Sequence, residues 1–337
     1  MSVYPYKFVP IYKDRMWGGR RLERLFGRQL PPGKNIGESW ELADLPPTDR
    51  DRETESVVAN GPDAGKTLNE LLRDRRRQIL GSARPWDDGR FPLLLKVLDA
   101  NERLSLQVHP DEQTAKEMGP HARPKTECWY VLKSSGGYIL KGVKPGVTRE
   151  RFAEAAGRDE ALLELVQRFE VRDGDFHYLP AGTVHALGAG LVVAEVQIPS
   201  DTTFRVSDWG RGREVHLAES LRCIHFAPGP AADPAEALEA ASARDASQGV
   251  AGDEMLLRTP YFSVRKRLLP PGPAELRAGA CAVWMVLAGR GKILSEAAAA
   301  PSVPLGRLET VLVPAGLAAP TAVIDEQMTV LEITLPR

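Results

Sequence analysis

The chain has 337 residues, of which 43% are hydrophobic and 26% charged, a composition typical of a soluble globular protein long enough for two domains. Its 44 lysines and arginines nearly balance 45 aspartates and glutamates. The formal net charge of −1 therefore predicts no nucleic-acid partner and no binding to an anionic membrane surface. No apolar run approaches the ~18 residues of a membrane-spanning helix, and the N-terminus lacks a secretory pattern. Together with three isolated cysteines, these features predict a cytoplasmic protein.

The first part of the chain combines irregular segments with one clear helix. Residues 3–60 predict loops and short strands, because prolines and glycines interrupt them repeatedly. A helix is predicted from Thr67 onwards, since Thr67 and Glu70 have the spacing of a capping box and Gly81 is a typical C-terminal stop. The arginines of this helix are expected to face solvent.

Residues 91–98 predict a buried strand with a single lysine, Lys96, inside it. A buried ammonium group needs an anionic partner, so Lys96 either extends to solvent or faces an anionic group in a polar pocket. The strand leads directly into residues 104–132, which carry the most informative pattern in the chain.

Four polar residues of this region and the next form a candidate metal site. Gln107 and His109 stand two apart in an alternating apolar run, so on a strand they share one face. Glu127 opens the next β-rich run, and His185 follows a Pro/Gly turn between two strands. One amide oxygen, two imidazoles and one carboxylate suit Zn²⁺ first, and Fe²⁺, Mn²⁺ or Co²⁺ next.

Helical patterns are fewer than strand patterns in the rest of the chain. The segments 148–156 and 159–169 predict a helical pair inserted between strand regions, where it could form the wall of a cleft. Short helices are also predicted at residues 111–118 and 216–224. Residues 171–206 return to short strands and turns.

Two parts of the chain repeat the same pattern. The Trp-Tyr-Val-Leu run at 129–132 returns as Trp-Met-Val-Leu at 284–287, and the Leu-Pro-Ala-Gly run at 179–182 returns as Val-Pro-Ala-Gly at 313–316. In the second copy, Ala282 and Ala319 stand where Glu127 and His185 stand in the first. Short strands with Gly and Pro turns, repeated twice, predict a mainly β protein of two cupin (double-stranded β-helix, or jelly-roll) domains with a few inserted helices.

The predicted domain boundaries follow from this repeat and from composition. Residues 1–228 are predicted to form a metal-binding catalytic cupin domain, with the helical insertion near 148–169. Residues 229–252, rich in Ala and Pro, predict a linker. Residues 253–337 are predicted to form a degenerate cupin domain without metal ligands.

The segment 195–205 contains further candidates for catalytic residues. Glu195 shares a strand face with Gln197, and a buried carboxylate there could carry a proton. Arg205 could stabilise an oxyanion or bind phosphate. The residues leave one alternative open, a structural ion pair between Asp201 and Arg205.

Several of these motifs, taken together and in order, resemble type I mannose-6-phosphate isomerase in its shorter bacterial form. The resemblance covers roughly residues 5–225 and is carried by the segments 17–20, 37–41, 105–110, 125–130, 180–185 and 195–205. It implies that Gln107, His109, Glu127 and His185 bind one Zn²⁺ per chain. It also implies a catalytic Arg205 and acid/base candidates in Glu195 and then Lys125, with His109 a further candidate only if it is not fully committed to metal. Ser105, Lys96 and Lys125 match positions near the bound phosphate, and Asp201 is a further expected substrate contact.

The activity implied is the interconversion of mannose 6-phosphate and fructose 6-phosphate through a cis-enediol, by a monomer or homodimer. Two alternatives stay open: a cupin metal-dependent oxygenase and a non-enzymatic sugar-phosphate-binding protein. An oxygenase site would usually carry more histidines, and its lysines and arginine would lack an anionic target. A sensor would need an output domain, which the sequence does not suggest.

Overall fold

The computed structural model describes residues 2–49, 51–226, 252–295 and 302–336, and these residues form a mainly β protein. The strands are β1 (Tyr6–Lys7), β2 (Ile11–Gly19), β3 (Ile36–Leu42), β4 (Leu94–Ala100), β5 (Leu106–Val108), β6 (Glu127–Ser134), β7 (Tyr138–Val143), β8 (Val166–Glu170), β9 (Phe176–Leu179), β10 (His185–Leu187), β11 (Leu191–Gln197), β12 (Phe204–Ser207), β13 (Asp253–Arg258), β14 (Ser263–Leu269), β15 (Gly272–Glu275), β16 (Ala282–Leu294), β17 (Ser302–Leu305), β18 (Thr310–Val313) and β19 (Thr321–Thr334). The α-helices are α1 (Arg21–Phe26), α2 (Leu68–Leu80), α3 (Glu112–Met118), α4 (Arg149–Ala155), α5 (Asp159–Leu165) and α6 (Leu217–Cys223). None of these helices is both long and apolar enough to cross a membrane.

The described residues group into two compact units. The central unit takes its residues from Tyr12–Trp40 and Leu94–Asp233, and the C-terminal unit takes its residues from Met1–Ile11, Glu41–Leu93 and Pro234–Arg337. This grouping differs from the division expected from the sequence, because β1 pairs with β18 and so belongs to the C-terminal unit. The division into a catalytic and a degenerate domain stays a prediction, and all but the last residue of the predicted linker lies outside the described residues.

The central unit is built from two antiparallel sheets. Their strand orders are β2-β3-β4-β11-β6-β9 and β12-β5-β10-β7-β8. One apolar cluster takes Trp129 and Val193 from the first sheet and Ile139 and Leu187 from the second, so the two sheets face each other across a common core. This double-sheet arrangement is the one that the repeated strand pattern predicts.

The helices largely follow their sequence signals. At the start of α2, the Thr67 side chain accepts from the Glu70 amide while the Glu70 side chain accepts from the Thr67 amide, which confirms the capping box. The prediction of helix across 159–169 is wrong in its second half, because α5 ends at Leu165 and the next five residues form β8. There β8 pairs with the edge of β7, so cross-strand hydrogen bonds replace the helical ones. The buried strand begins at Leu94 rather than Phe91, consistent with the missing amide donor of Pro92.

The predicted repeat is confirmed in the strand pairing. The order β4-β11-β6-β9 of the central unit returns as β14-β19-β16-β18 in the C-terminal unit. Glu127 is the first residue of β6 and pairs with Leu179, while Ala282 is the first residue of β16 and pairs with Val313. Ala282 belongs to an apolar core with Trp284, Val286 and Val311, so the C-terminal copy packs side chains where the central copy carries a polar group.

A tight turn before β10 places His185. Gly182 has a φ of 84° and donates its amide to the carbonyl of His109, 2.9 Å away, so the turn is bound to the segment that follows β5. A Cβ at this position would lie 2.5 Å from the His225 ring. The positive φ favours glycine here, and a Cβ would also require the half-exposed ring of His225 to move.

Replacing Gly182 with alanine is expected to lower the free energy of unfolding by about 2–3 kcal/mol, because the left-handed backbone and the close contact both oppose a side chain. Gly146→Ala is the matched control, since Gly146 has a φ of 79° and open space around it. Its loss should be about 1–2 kcal/mol, from the backbone alone. Urea denaturation of both variants measures the difference, and equal losses would show that the contact with His225 relaxes without cost.

Candidate metal centre and active site

The strands of the central unit bring the four predicted ligands together. Gln107 on β5 pairs directly with His185 on β10, and His109 follows β5 immediately. Glu127 enters from β6 in the facing sheet. The ligand atoms of His109, Glu127 and His185 lie within 4.8 Å of one another, and all three residues are buried. Residues far apart in the sequence thus converge on one point.

Both histidines are oriented by backbone carbonyls. Nδ1 of His109 lies 2.8 Å from the Thr202 carbonyl oxygen, and Nδ1 of His185 lies 2.8 Å from that of Thr183. Because a carbonyl oxygen only accepts, each Nδ1 carries the proton and each Nε2 offers a lone pair to the centre of the site. Burial and the nearby charge of Lys125 lower the pKa of His109 to about 3, so its imidazole is neutral.

Two of the inward-facing acceptors lack donors. Among the described residues, Nε2 of His109 and Oε1 of Glu127 are buried without a hydrogen-bond donor, and Oε2 of Glu127 faces the ammonium of Lys125. Nε2 of His185 lies 3.1 Å from Oε1 of Glu127, and Nε2 of His109 lies 3.7 Å from Oε2. Lone pairs that face one another in a buried site are unfavourable unless a cation lies between them. The residues therefore fit a metal ion that prefers nitrogen and oxygen ligands.

The side-chain amide of Gln107 is oriented differently from the prediction. Its Nε2 lies 3.3 Å from Nε2 of His185, and its Oε1 accepts from the Ser105 hydroxyl at 3.3 Å. Because Nε2 of His185 is an acceptor, the amide of Gln107 donates to it. The oxygen expected as a ligand thus faces Ser105 in this side-chain rotamer.

A buried lysine lies against the carboxylate of this cluster. Nζ of Lys125 is 2.9 Å from Oε2 of Glu127. Burial alone would lower the pKa of Lys125, but the charges of Glu127 and Glu195 outweigh it, so the pKa is raised and the group is an ammonium. For Glu127, burial favours the neutral acid, but the charge of Lys125 opposes it, and the pKa is held well below its usual range.

Lys96 faces anionic groups, which resolves the alternative left open by the sequence. Its Nζ lies 3.2 Å from Oε1 of Glu195 and 3.8 Å from Oε2 of Glu38. The other oxygen of Glu195 accepts from Nε1 of Trp129 at 2.8 Å. The lysine side chain also lies over the ring of Trp40, 5.4 Å from its centroid.

Glu38 was not singled out from the sequence, although it lies in the segment 37–41 that carries the resemblance. It accepts from Nε of Arg15 at 2.6 Å and from Nε1 of Trp40 at 2.7 Å. Burial raises its pKa, but Lys96, Arg15 and Trp40 together outweigh burial and lower the pKa to about 2. The sequence did contain one indication of the contact with Trp40: Glu38 and Trp40 stand two residues apart, so on a strand their side chains share one face.

Arg205 lies beside the ligands. It stands on β12 opposite Gln107, its Nη1 donates to the Glu214 carbonyl at 2.6 Å, and its Nε is buried without a partner among the described residues. Burial and the neighbouring Arg213 lower its pKa. The described residues contain no ion pair between Arg205 and Asp201, whose side chain is exposed, so the structural ion pair is not the reason for this arginine's position.

Comparisons with known proteins agree with this architecture. Residues 6–131 match the family model described as phosphomannose isomerase type I, catalytic domain. The chain is 34% identical over 300 residues to the probable mannose-6-phosphate isomerase GmuF of Bacillus subtilis, covering 87% of this chain and 89% of the relative. It is 37% identical over 230 residues to mannose-6-phosphate isomerase ManA of the same organism, covering 66% of this chain and 69% of that relative.

The likeness extends to three dimensions. The crystal structure of the mannose 6-phosphate isomerase from Bacillus subtilis matches with a TM-score of 0.83 and 29% identity, over 99% of this chain and all of that one. This match confirms the cupin fold expected from the strand pattern. Identity above 30% over most of both sequences, and a shared fold over their whole length, lead to one conclusion: the chain belongs to the type I mannose-6-phosphate isomerase family.

Proposed function

We propose that this chain is a metal-dependent aldose-ketose isomerase that interconverts mannose 6-phosphate and fructose 6-phosphate through a cis-enediol. The family membership gives the reaction class, and the names of the relatives give the substrate. The observation that carries the proposal is the buried cluster of unpaired acceptors on His109 and Glu127, adjacent to the ammonium of Lys125.

Zn²⁺ is the cofactor that suits this site best. His109, Glu127 and His185 supply two imidazole nitrogens and a carboxylate, and Gln107 supplies an amide within reach. When bound, the ion supplies Lewis-acid polarisation of the substrate oxygens. The hydrogen bonds from each Nδ1 to a backbone carbonyl fix the tautomer that this requires.

The side chains around the metal site have separate roles in charge stabilisation and proton transfer. From mannose 6-phosphate to fructose 6-phosphate, isomerisation moves a proton from C2 to C1 and a hydroxyl proton from O2 to O1, while negative charge developing on these oxygens is stabilised. Arg205 donates to the developing oxyanion, because its guanidinium keeps its charge in a partly buried position. Lys125, as an ammonium, donates a proton or a hydrogen bond to the same oxygens, and once it has given up its proton its neutral amine can accept the carbon-bound proton. Both ring nitrogens of His109 are already in use, since Nδ1 donates to a backbone carbonyl and Nε2 faces the metal site. Glu195 and Lys125 are therefore the candidates for moving the carbon-bound proton.

Substrate contacts are proposed for Ser105, Lys96 and Asp201. Ser105 is buried beside Gln107, so its hydroxyl can turn towards a ligand in the site. The charge of Lys96 is balanced by Glu195 and Glu38, which suits a sugar hydroxyl better than a phosphate dianion. Asp201 is exposed in the loop that precedes β12.

Location and assembly are proposed from the sequence. Cys128, Cys223 and Cys281 are free and buried, which is consistent with a reducing compartment, and we infer a cytoplasmic enzyme. The sugar phosphate is the proposed partner, and the assembly state is proposed to be a monomer or homodimer.

The test of the function is a coupled assay for fructose 6-phosphate formed from mannose 6-phosphate. Purified, zinc-loaded protein should turn over, chelator treatment should abolish turnover, and added Zn²⁺ should restore it. Metal binding without isomerisation would contradict the substrate assignment and favour the oxygenase or the sugar-phosphate-binding alternative.

His185→Ala is expected to weaken zinc binding by more than about 100-fold, because removal of a ligand exceeds the usual effect of removing an outer hydrogen-bond partner. His121→Ala is the control, since His121 is exposed and lies outside the cluster. Zinc affinity measured by chelator competition distinguishes the two. Equal affinities in both variants would remove His185 from the ligand set.

Arg205→Ala is expected to lower kcat by about 10²- to 10³-fold while zinc content holds, because a donor to the oxyanion is lost but no ligand is. Arg290→Ala is the control, since Arg290 is exposed in the C-terminal unit and pairs with Glu326. Steady-state kinetics and metal analysis are run on both variants. Unchanged turnover in Arg205→Ala would exclude a catalytic role for this arginine.

A further inference from the structure

The carboxylate of Glu195 belongs to a three-residue arrangement that occurs twice in this protein. In the central unit, Nε1 of Trp129 donates to Glu195 at 2.8 Å, and the ammonium of Lys96 lies 3.2 Å from the other oxygen. The tryptophan is on β6, the carboxylate on β11 and the cation on β4. The carboxylate thus lies on the strand between the other two.

The C-terminal unit contains a similar arrangement on the corresponding strands, with an arginine in place of the lysine. Nε1 of Trp284 on β16 donates to Oε2 of Glu332 on β19 at 2.8 Å, and Nη1 of Arg267 on β14 donates to the same oxygen at 2.9 Å. In both units the tryptophan and the carboxylate are direct partners in the strand register.

The second occurrence lies in the copy that has alanine at the position of Glu127. Ala282 stands two residues before Trp284, where Glu127 stands two residues before Trp129, and it packs into an apolar core. A role in proton transfer would not explain why a carboxylate also binds a tryptophan and a cation in that copy. The arrangement of tryptophan, carboxylate and cation therefore serves the architecture of the repeated sheet.

In the central unit this arrangement has an additional neighbour. The ring of Trp129 lies edge-on to the ring of His185, with centroids 5.4 Å apart and an interplanar angle of 83°. The hydrogen bond from Nε1 to Glu195 fixes the indole, and the indole in turn packs against a proposed metal ligand.

We propose that Glu195 is a positioning residue that holds Trp129 against His185, and that it is not the group that carries the proton between C2 and C1. The exclusion of proton transfer rests on the proposed isomerase function, whereas the positioning of His185 rests on the contacts alone. Both oxygens of Glu195 face donors, so taking up a substrate proton would disrupt the pairing with Lys96.

The experiment compares Glu195→Ala and Glu195→Gln with Glu332→Ala and Glu332→Gln in the full-length chain. Thermal unfolding, zinc affinity by chelator competition, and the pH dependence of kcat and KM are measured for each variant. The Glu332 variants are the matched controls, because they remove the corresponding hydrogen bonds from the C-terminal copy, whose described residues hold no such ligand cluster.

Both alanine variants are expected to lower Tm by comparable amounts. Only Glu195→Ala should also weaken zinc affinity, by about 10- to 100-fold, as expected for the loss of a group that orients a ligand. Glu195→Gln should restore most of that affinity, because its amide oxygen still accepts from Trp129. Its turnover should stay within about 10-fold of the parent, with the same pH dependence, since loss of a proton carrier would cost about 10²- to 10⁴-fold.

Two results would overturn the proposal. If Glu195→Gln turns over slower than the parent by about 100-fold or more while its zinc affinity is intact, proton transfer belongs to Glu195. Unchanged zinc affinity in Glu195→Ala would show that the carboxylate does not position His185. If the parent chain does not isomerise mannose 6-phosphate, the function fails, but the zinc comparison still tests the positioning role.

Discussion

The buried carboxylate of Glu127 is the constraint on which the site depends. It has no exposed surface, two imidazole nitrogens face it, and the ammonium of Lys125 lies against one oxygen. Such a group is stable inside a protein only with compensating positive charge. The elements around it contribute different groups. Strands β5 and β10 present nitrogen and amide groups, β6 presents the carboxylate, and the loop before β12 holds His109.

A network of buried charges surrounds this cluster. Lys96 lies between Glu195 and Glu38, and Glu38 is also bound by Arg15 and Trp40. Each charge in this network has an opposite charge close by, so the site can keep several ions in a low-dielectric interior without leaving one unbalanced. This balance also limits the roles available to each residue, since a group that neutralises a neighbour is not free to take a proton.

The repeated sheet separates what the fold requires from what the reaction requires. The C-terminal copy keeps the strand order and the bonds among Trp284, Glu332 and Arg267, but it has alanine at the position of Glu127. Features shared by both copies are explained by packing and hydrogen bonding alone. Features that the described residues show only in the central copy, namely the ligand cluster and Lys125, are the ones that the proposed chemistry needs.

Local sequence patterns determined the mainly β repeat, the capped helix at Thr67, and the identity of the candidate ligands, because strand alternation and capping depend on neighbours a few residues apart. Only the tertiary structure decided that Gln107 pairs with His185, that the Thr183 and Thr202 carbonyls set both histidine tautomers, and that Glu38 joins Lys96. It also decided that residues 166–170 form a strand, since an edge of β7 was available to pair with them. These outcomes depend on strand register and on contacts between distant segments, which no local pattern encodes.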